Sequence, residues 1–91
     1  MLARRLLIRG RVQGVGYRDA LVAAATSAGV AGWVRNLRDG SVEAWLEGSA
    51  AAVESVTEWA QRGPMLARVA AVDIEEVQAE NHGEFARAPT P

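Results

Sequence analysis

The sequence predicts an α+β fold in which two helices cover one face of a mainly antiparallel sheet, in the order β-α-β-β-α-β. Three observations predict it. Apolar residues recur at a period of two in Leu6–Val12, in Val42–Leu46 and around Val72 and Ile74. Tyr17, Leu21, Ala24, Ala25 and Ala28 recur instead at helical spacing, as do Val53, Val56 and Ala60. Glycines at 14, 16, 29, 40 and 63 punctuate the changes of period.

The first strand carries Leu6, Ile8, Gly10 and Val12 against Arg5, Leu7, Arg9 and Arg11, the pattern of one buried face. A loop, Gln13–Tyr17, leads into a helix from about Arg18 to Ala28. Gly29 suits the left-handed position just past that helix, with Val30 closing the contact behind it. Two strands follow, about 32–37 and 41–47, joined at Asp39-Gly40, a strong hairpin pair. In the second of them Val42, Ala44 and Leu46 share one face, and Glu43, Trp45 and Glu47 the other. Ser49 is placed to cap a second helix running to about Arg62, where Gly63-Pro64 stops it. A fourth strand over 69–77 turns Val72 and Ile74 inward, and a short fifth strand lies around Phe85. The order is that of the ferredoxin-like split βαβ arrangement. Residues 1–91 are expected to form a single domain, with a loose tail at about 89–91.

Composition removes several chemistries. The chain has no cysteine, so disulfides, thiolate metal sites and thiol nucleophiles are excluded. All ten basic residues are arginine, which excludes a P-loop lysine and a Schiff-base lysine. His82, the one histidine, lies in a polar loop, where an exposed role is expected. No serine occupies a strand-to-helix elbow, and Asp19, Asp39 and Asp73 fall on separate elements. An enzyme built on this chain is therefore expected to work without a covalent nucleophile, a metal or another cofactor. No stretch has the length of a membrane span and no signal-peptide core is present, so a cytoplasmic protein with no membrane partner is expected.

The charges are segregated. Arg4, Arg5, Arg9, Arg11 and Arg18 precede any acid, whereas residues 47–84 hold eight acids against Arg62 and Arg68. In RVQGVGYRDA, residues 11–20, Gly14 and Gly16 let successive backbone N–H groups turn inward before a helix N-terminus. A tight turn needing positive φ accounts for the glycines equally well. Arg18 weighs for an anion: a cation in the first helical turn opposes the peptide dipoles unless something negative lies between. Its planar fork suits two phosphate oxygens. Asp19 is an ordinary first-turn acid, and Tyr17 is read as a core residue. At the end of the next strand, the Asn36 amide can accept from a water and donate to an oxygen at once. An asparagine that merely begins a turn is the competing reading.

GRVQGVGYR (Gly10–Arg18) and GWVRNLRDGSVE (Gly32–Glu43) resemble the two signature segments of the acylphosphatase family, in order and at a suitable separation. The later GPMLARVAAVDIEEV is also similar, so that the resemblance extends to about Ala88. It implies hydrolysis of the carboxyl–phosphate bond of a small acyl phosphate. It further implies that Arg18 binds the phosphate, that Asn36 orients the attacking water, and that the backbone of Gln13, Gly14, Val15, Gly16 and Tyr17 cradles the phosphate.

The inventory agrees with that chemistry. A carboxylate leaves with a conjugate-acid pKa of roughly 4, so no strong general acid is needed. Phosphoryl transfer asks mainly for positioning and charge stabilisation. The substrate phosphate itself is the expected acceptor of the water proton. A non-catalytic phosphate- or acyl-phosphate-binding module is the alternative, against which Asn36 argues. Nucleic-acid binding is not expected: the net charge is -1 and RNP-like aromatics are absent. A monomer is the default expectation.

Overall fold

The computed structural model describes all residues, Met1–Pro91. Strand β1 (Leu2–Arg11) lies inside the sheet, between β3 (Val42–Gly48) and β4 (Arg68–Glu76), antiparallel to both. Strand β2 (Ala31–Asn36) pairs antiparallel with β3, and β5 (Phe85–Arg87) joins its outer edge in parallel. The sheet order is β4-β1-β3-β2-β5. Helices α1 (Tyr17–Ala28) and α2 (Ala50–Arg62) connect β1 to β2 and β3 to β4. This is the ferredoxin-like arrangement the periodicities predict, with one parallel pairing added at the edge.

The period-two residues form the core. Register places Leu6 against Ala44 and Ile8 against Val42. These join Val34 and Leu46 in one apolar cluster with Leu21 and Ala25 of α1 and Val53, Val56 and Ala60 of α2. Burying such side chains contributes roughly 1.5–3 kcal/mol each before entropy is counted. Helix α2 begins where Ser49 Oγ accepts from the Ala52 N–H at 3.2 Å. Helix α1 ends as expected, with the Val30 N–H reaching the Ala25 carbonyl at 2.8 Å and Gly29 the Thr26 carbonyl at 3.2 Å.

Three details differ from the sequence reading. Ile74 points to the core face but is 46% exposed, because β4 is an edge strand that the helices cover only in part. Glu43 and Glu47, on the face away from the helices, are buried. Arg5 Nε and Arg35 Nε close on Glu43 at 2.5 and 2.7 Å, while Trp33 and Trp45 stack at 6.2 Å beside them. His82 is only half-exposed: its backbone N–H is held by Glu47 Oε1 at 2.9 Å and its ring meets Glu80 at 3.0 Å.

Candidate active site

The loop 13–16 stands between the end of β1 and the start of α1. Gly14 and Gly16 both adopt left-handed φ, 73° and 80°. Gly16 is the N-cap of α1, and no side chain caps that helix. None of the backbone N–H groups from Gln13 to Asp19 donates to a protein acceptor. A run of free amides at a helix N-terminus is the geometry that receives an anion.

Gly14, Gly16, Tyr17 and Arg18 line one cleft of about 220 Å³, together with Val12, Asp19 and Arg87. Arg18 is half-buried and has no carboxylate within 4.0 Å. The carboxylate beside it is already engaged: Asp19 Oδ1 accepts from Arg87 Nη1 at 2.9 Å. Asp19 thus offsets Arg87, and the Arg18 charge stays free for the cleft.

Tyr17 contributes its backbone to the loop and its side chain to the core. The ring is 1% exposed and packs 5.6 Å from Trp59, and the hydroxyl donates to the Ala60 carbonyl at 2.6 Å. Burial raises the phenol pKa well above its ordinary value, so it is neither acid nor base at neutral pH. Val15 lines a second cleft that shares Gly14 with the first.

Asn36 ends β2 opposite Val42 on the core side of the sheet and belongs to neither cleft wall. Its Oδ1 is buried and accepts no hydrogen bond from the protein. The link between Asn36 and the loop is Gln13. Its side-chain amide donates to the carbonyls of Leu37 at 2.8 Å and Ser41 at 2.9 Å, joining the loop to the β2–β3 turn one residue past Asn36. The turn is itself tied by Asp39, which accepts from the Ser41 hydroxyl and N–H, and these bonds lower the Asp39 pKa. The sequence singles out Gln13 only for its backbone; a side-chain amide flanking the glycine loop is the signal for its tether.

The model of the family described as Acylphosphatase matches residues 4–87. The chain belongs to the acylphosphatase family. It is 52% identical over 83 residues to an acylphosphatase of Synechococcus sp., covering 91% of this chain and 88% of the relative. An acylphosphatase of Acaryochloris marina is 47% identical over 85 residues, covering 93% and 88%. The crystal structure of acylphosphatase from Bacillus subtilis superposes with a TM-score of 0.94 at 36% identity, covering 97% of this chain and 99% of that one. Acylphosphatase relatives therefore match along both the loop and the Asn36 turn, and the similarity is one of fold and sequence together.

Proposed function

We propose that the chain hydrolyses the carboxyl–phosphate bond of acyl phosphates, giving a carboxylate and inorganic phosphate by direct attack of water, with no metal or covalent intermediate. The observation that carries this reading is the run of unpaired N–H groups from Gln13 to Asp19 beside an Arg18 with no acid partner. The phosphate sits among the backbone N–H groups of Gln13, Gly14, Val15, Gly16 and Tyr17, with the Arg18 fork on its oxygens. Charge developing on those oxygens in a loose transition state is stabilised by fixed donors that need no reorganisation.

Asn36 orients the water. Its amide can accept from a water O–H and donate to an oxygen once the side chain turns toward the cleft, and its Oδ1, buried in this structure, has no protein hydrogen bond to give up on turning. The water attacks phosphorus, the P–O bond to the carboxylate breaks, and the bonding pair leaves on the carboxylate. The proton passes to a phosphate oxygen. Acyl-phosphatase relatives matching almost the whole chain support hydrolysis over a binding-only module. We read the chain as a single domain acting as a monomer in the cytoplasm. In support of a single domain, one apolar core joins β1, both helices and β5; no helix is long and apolar enough to cross a membrane.

Hydrolysis of benzoyl phosphate in the presence of a chelator tests the reading. Arg18→Ala should lose activity by about 100- to 1,000-fold and weaken inhibition by inorganic phosphate. Asn36→Ala should lose turnover with phosphate inhibition largely kept. Equal loss of turnover and phosphate binding in Asn36→Ala would refute its role, and a folded wild type that binds phosphate without turnover would leave only a binding module.

A further inference from the structure

Two arginines face one another beside the loop. β1 and β4 keep one register from Arg4 opposite Glu76 to Arg9 opposite Ala71, which continued unchanged would set Arg11 opposite Val69. Between Arg9 and Gly10 the ladder slips by one residue, and Arg11 falls opposite Arg68 instead. Gly10 permits this: with φ 131°, a Cβ there would stand 2.1 Å from the Arg68 carbonyl oxygen. Like charges directly opposite on an antiparallel pair are destabilising. No acid offsets them, for neither Arg11 nor Arg68 has a carboxylate within 4.0 Å. Of the other sheet arginines, Arg5 and Arg35 pair with Glu43, Arg9 with Asp73 and Arg87 with Asp19, while Arg4 instead donates to the Thr57 hydroxyl at 3.3 Å.

Arg11 and Arg68 flank the second cleft, about 300 Å³, whose walls also include Gly14, Met65 and Leu66. Met65 is 96% exposed and Leu66 70%, large apolar side chains with little packing of their own. Gly14 lines both this cleft and the one holding Arg18. The two clefts thus adjoin at Gly14, with Arg18 lining one and an apolar wall and two uncompensated guanidinium groups lining the other.

We propose that Arg11 and Arg68 form a second anion subsite that takes a carboxylate at the far end of the acyl chain, so that the preferred substrates are mono-phosphate anhydrides of dicarboxylic acids. This rests on the reading of the Arg18 cleft as the phosphate site. Guanidinium forks match a carboxylate, and one bound between the two arginines turns their repulsion into two attractions. Met65 and Leu66 cover the hydrocarbon between the two charged ends. Neither arginine touches the reacting bond; the pair sets specificity.

The test compares kcat/KM for 3-carboxybenzoyl and 4-carboxybenzoyl phosphate with that for benzoyl phosphate, each corrected for its spontaneous hydrolysis. Wild type should prefer at least one carboxylated substrate by about tenfold, mostly through KM, and the preference should shrink as salt is raised. In Arg11→Gln/Arg68→Gln the ratio should fall to about one. Arg62→Gln, on α2 and paired with Glu58, is the charge control and should keep the wild-type ratio. The ratio is independent of how much of each variant is active. A wild type that does not discriminate, or a preference that survives in the double variant, overturns the subsite while hydrolysis of benzoyl phosphate leaves the phosphate site standing. Failure of the wild type to hydrolyse benzoyl phosphate at all overturns both.

Discussion

The side-chain amide of Gln13 donates to the carbonyl of Leu37 at 2.8 Å, across 24 positions of sequence, and so fixes the glycine loop to the residue after Asn36. Its other contact, Ser41 O at 2.9 Å, closes the same junction. The two halves of the candidate site are thus held by one side chain that reaches no reacting atom. Gln13→Ala should lower kcat for benzoyl phosphate by about tenfold through misplacement of the loop relative to Asn36. Gln13→Glu should be worse, since a carboxylate would face two carbonyl oxygens. Steady-state kinetics with wild-type values in both variants would show that the loop is held by other means.

Gly16→Ala isolates the backbone. A Cβ at Gly16 would meet nothing within 4 Å, so its cost is that of the left-handed φ of 80° alone, about 1–2 kcal/mol. Rotation out of that region relieves the strain and turns the Tyr17 and Arg18 N–H groups away from the cleft. Thermal unfolding should show a Tm lower by about 4–8 °C per kcal/mol. Added inorganic phosphate should raise the variant's Tm less than it raises that of the wild type.

Tyr17→Phe removes the donor to the Ala60 carbonyl and should cost about 1–2 kcal/mol in urea unfolding at neutral pH. The wild type carries a pH signature as well. Burial raises the Tyr17 pKa in the folded state, so its contribution is complete below the unfolded value of about 10 and is lost as pH rises above it. The variant should lose less stability between neutral and strongly alkaline pH than the wild type does.

Glu47 makes the opposite prediction. Desolvation pushes its pKa up, but hydrogen bonds from the Glu80 N–H, the Trp45 indole and the His82 N–H outweigh that and hold it below the ordinary value. A depressed carboxylate stabilises above its unfolded pKa, about 4.3, and loses that contribution as pH falls toward the folded value. Glu47→Gln should therefore be less stable at pH 7 by about 1.5–3 kcal/mol, and the gap should narrow on acidification. Urea midpoints of both proteins across that range measure it.

Much was legible in short stretches of sequence. Strand and helix periods, the glycines around Val15 and the caps Ser49 and Gly29 are properties of neighbours along the chain. The sequence by itself determined the order of elements and singled out Arg18 and Asn36 as the residues of interest. Tertiary structure alone decided what surrounds them. Whether Arg18 is free depended on Arg87, 68 positions from Asp19, taking that carboxylate. Whether the loop meets the Asn36 turn depended on the reach of Gln13. The burial of Glu43 and Glu47 depended on arginines and backbone donors drawn from other elements. The meeting of Arg11 with Arg68 depended on a one-residue slip in the ladder. These are pairings between distant segments, set by register and packing. No local period encodes them, because their energy exists only once the sheet has brought both partners together.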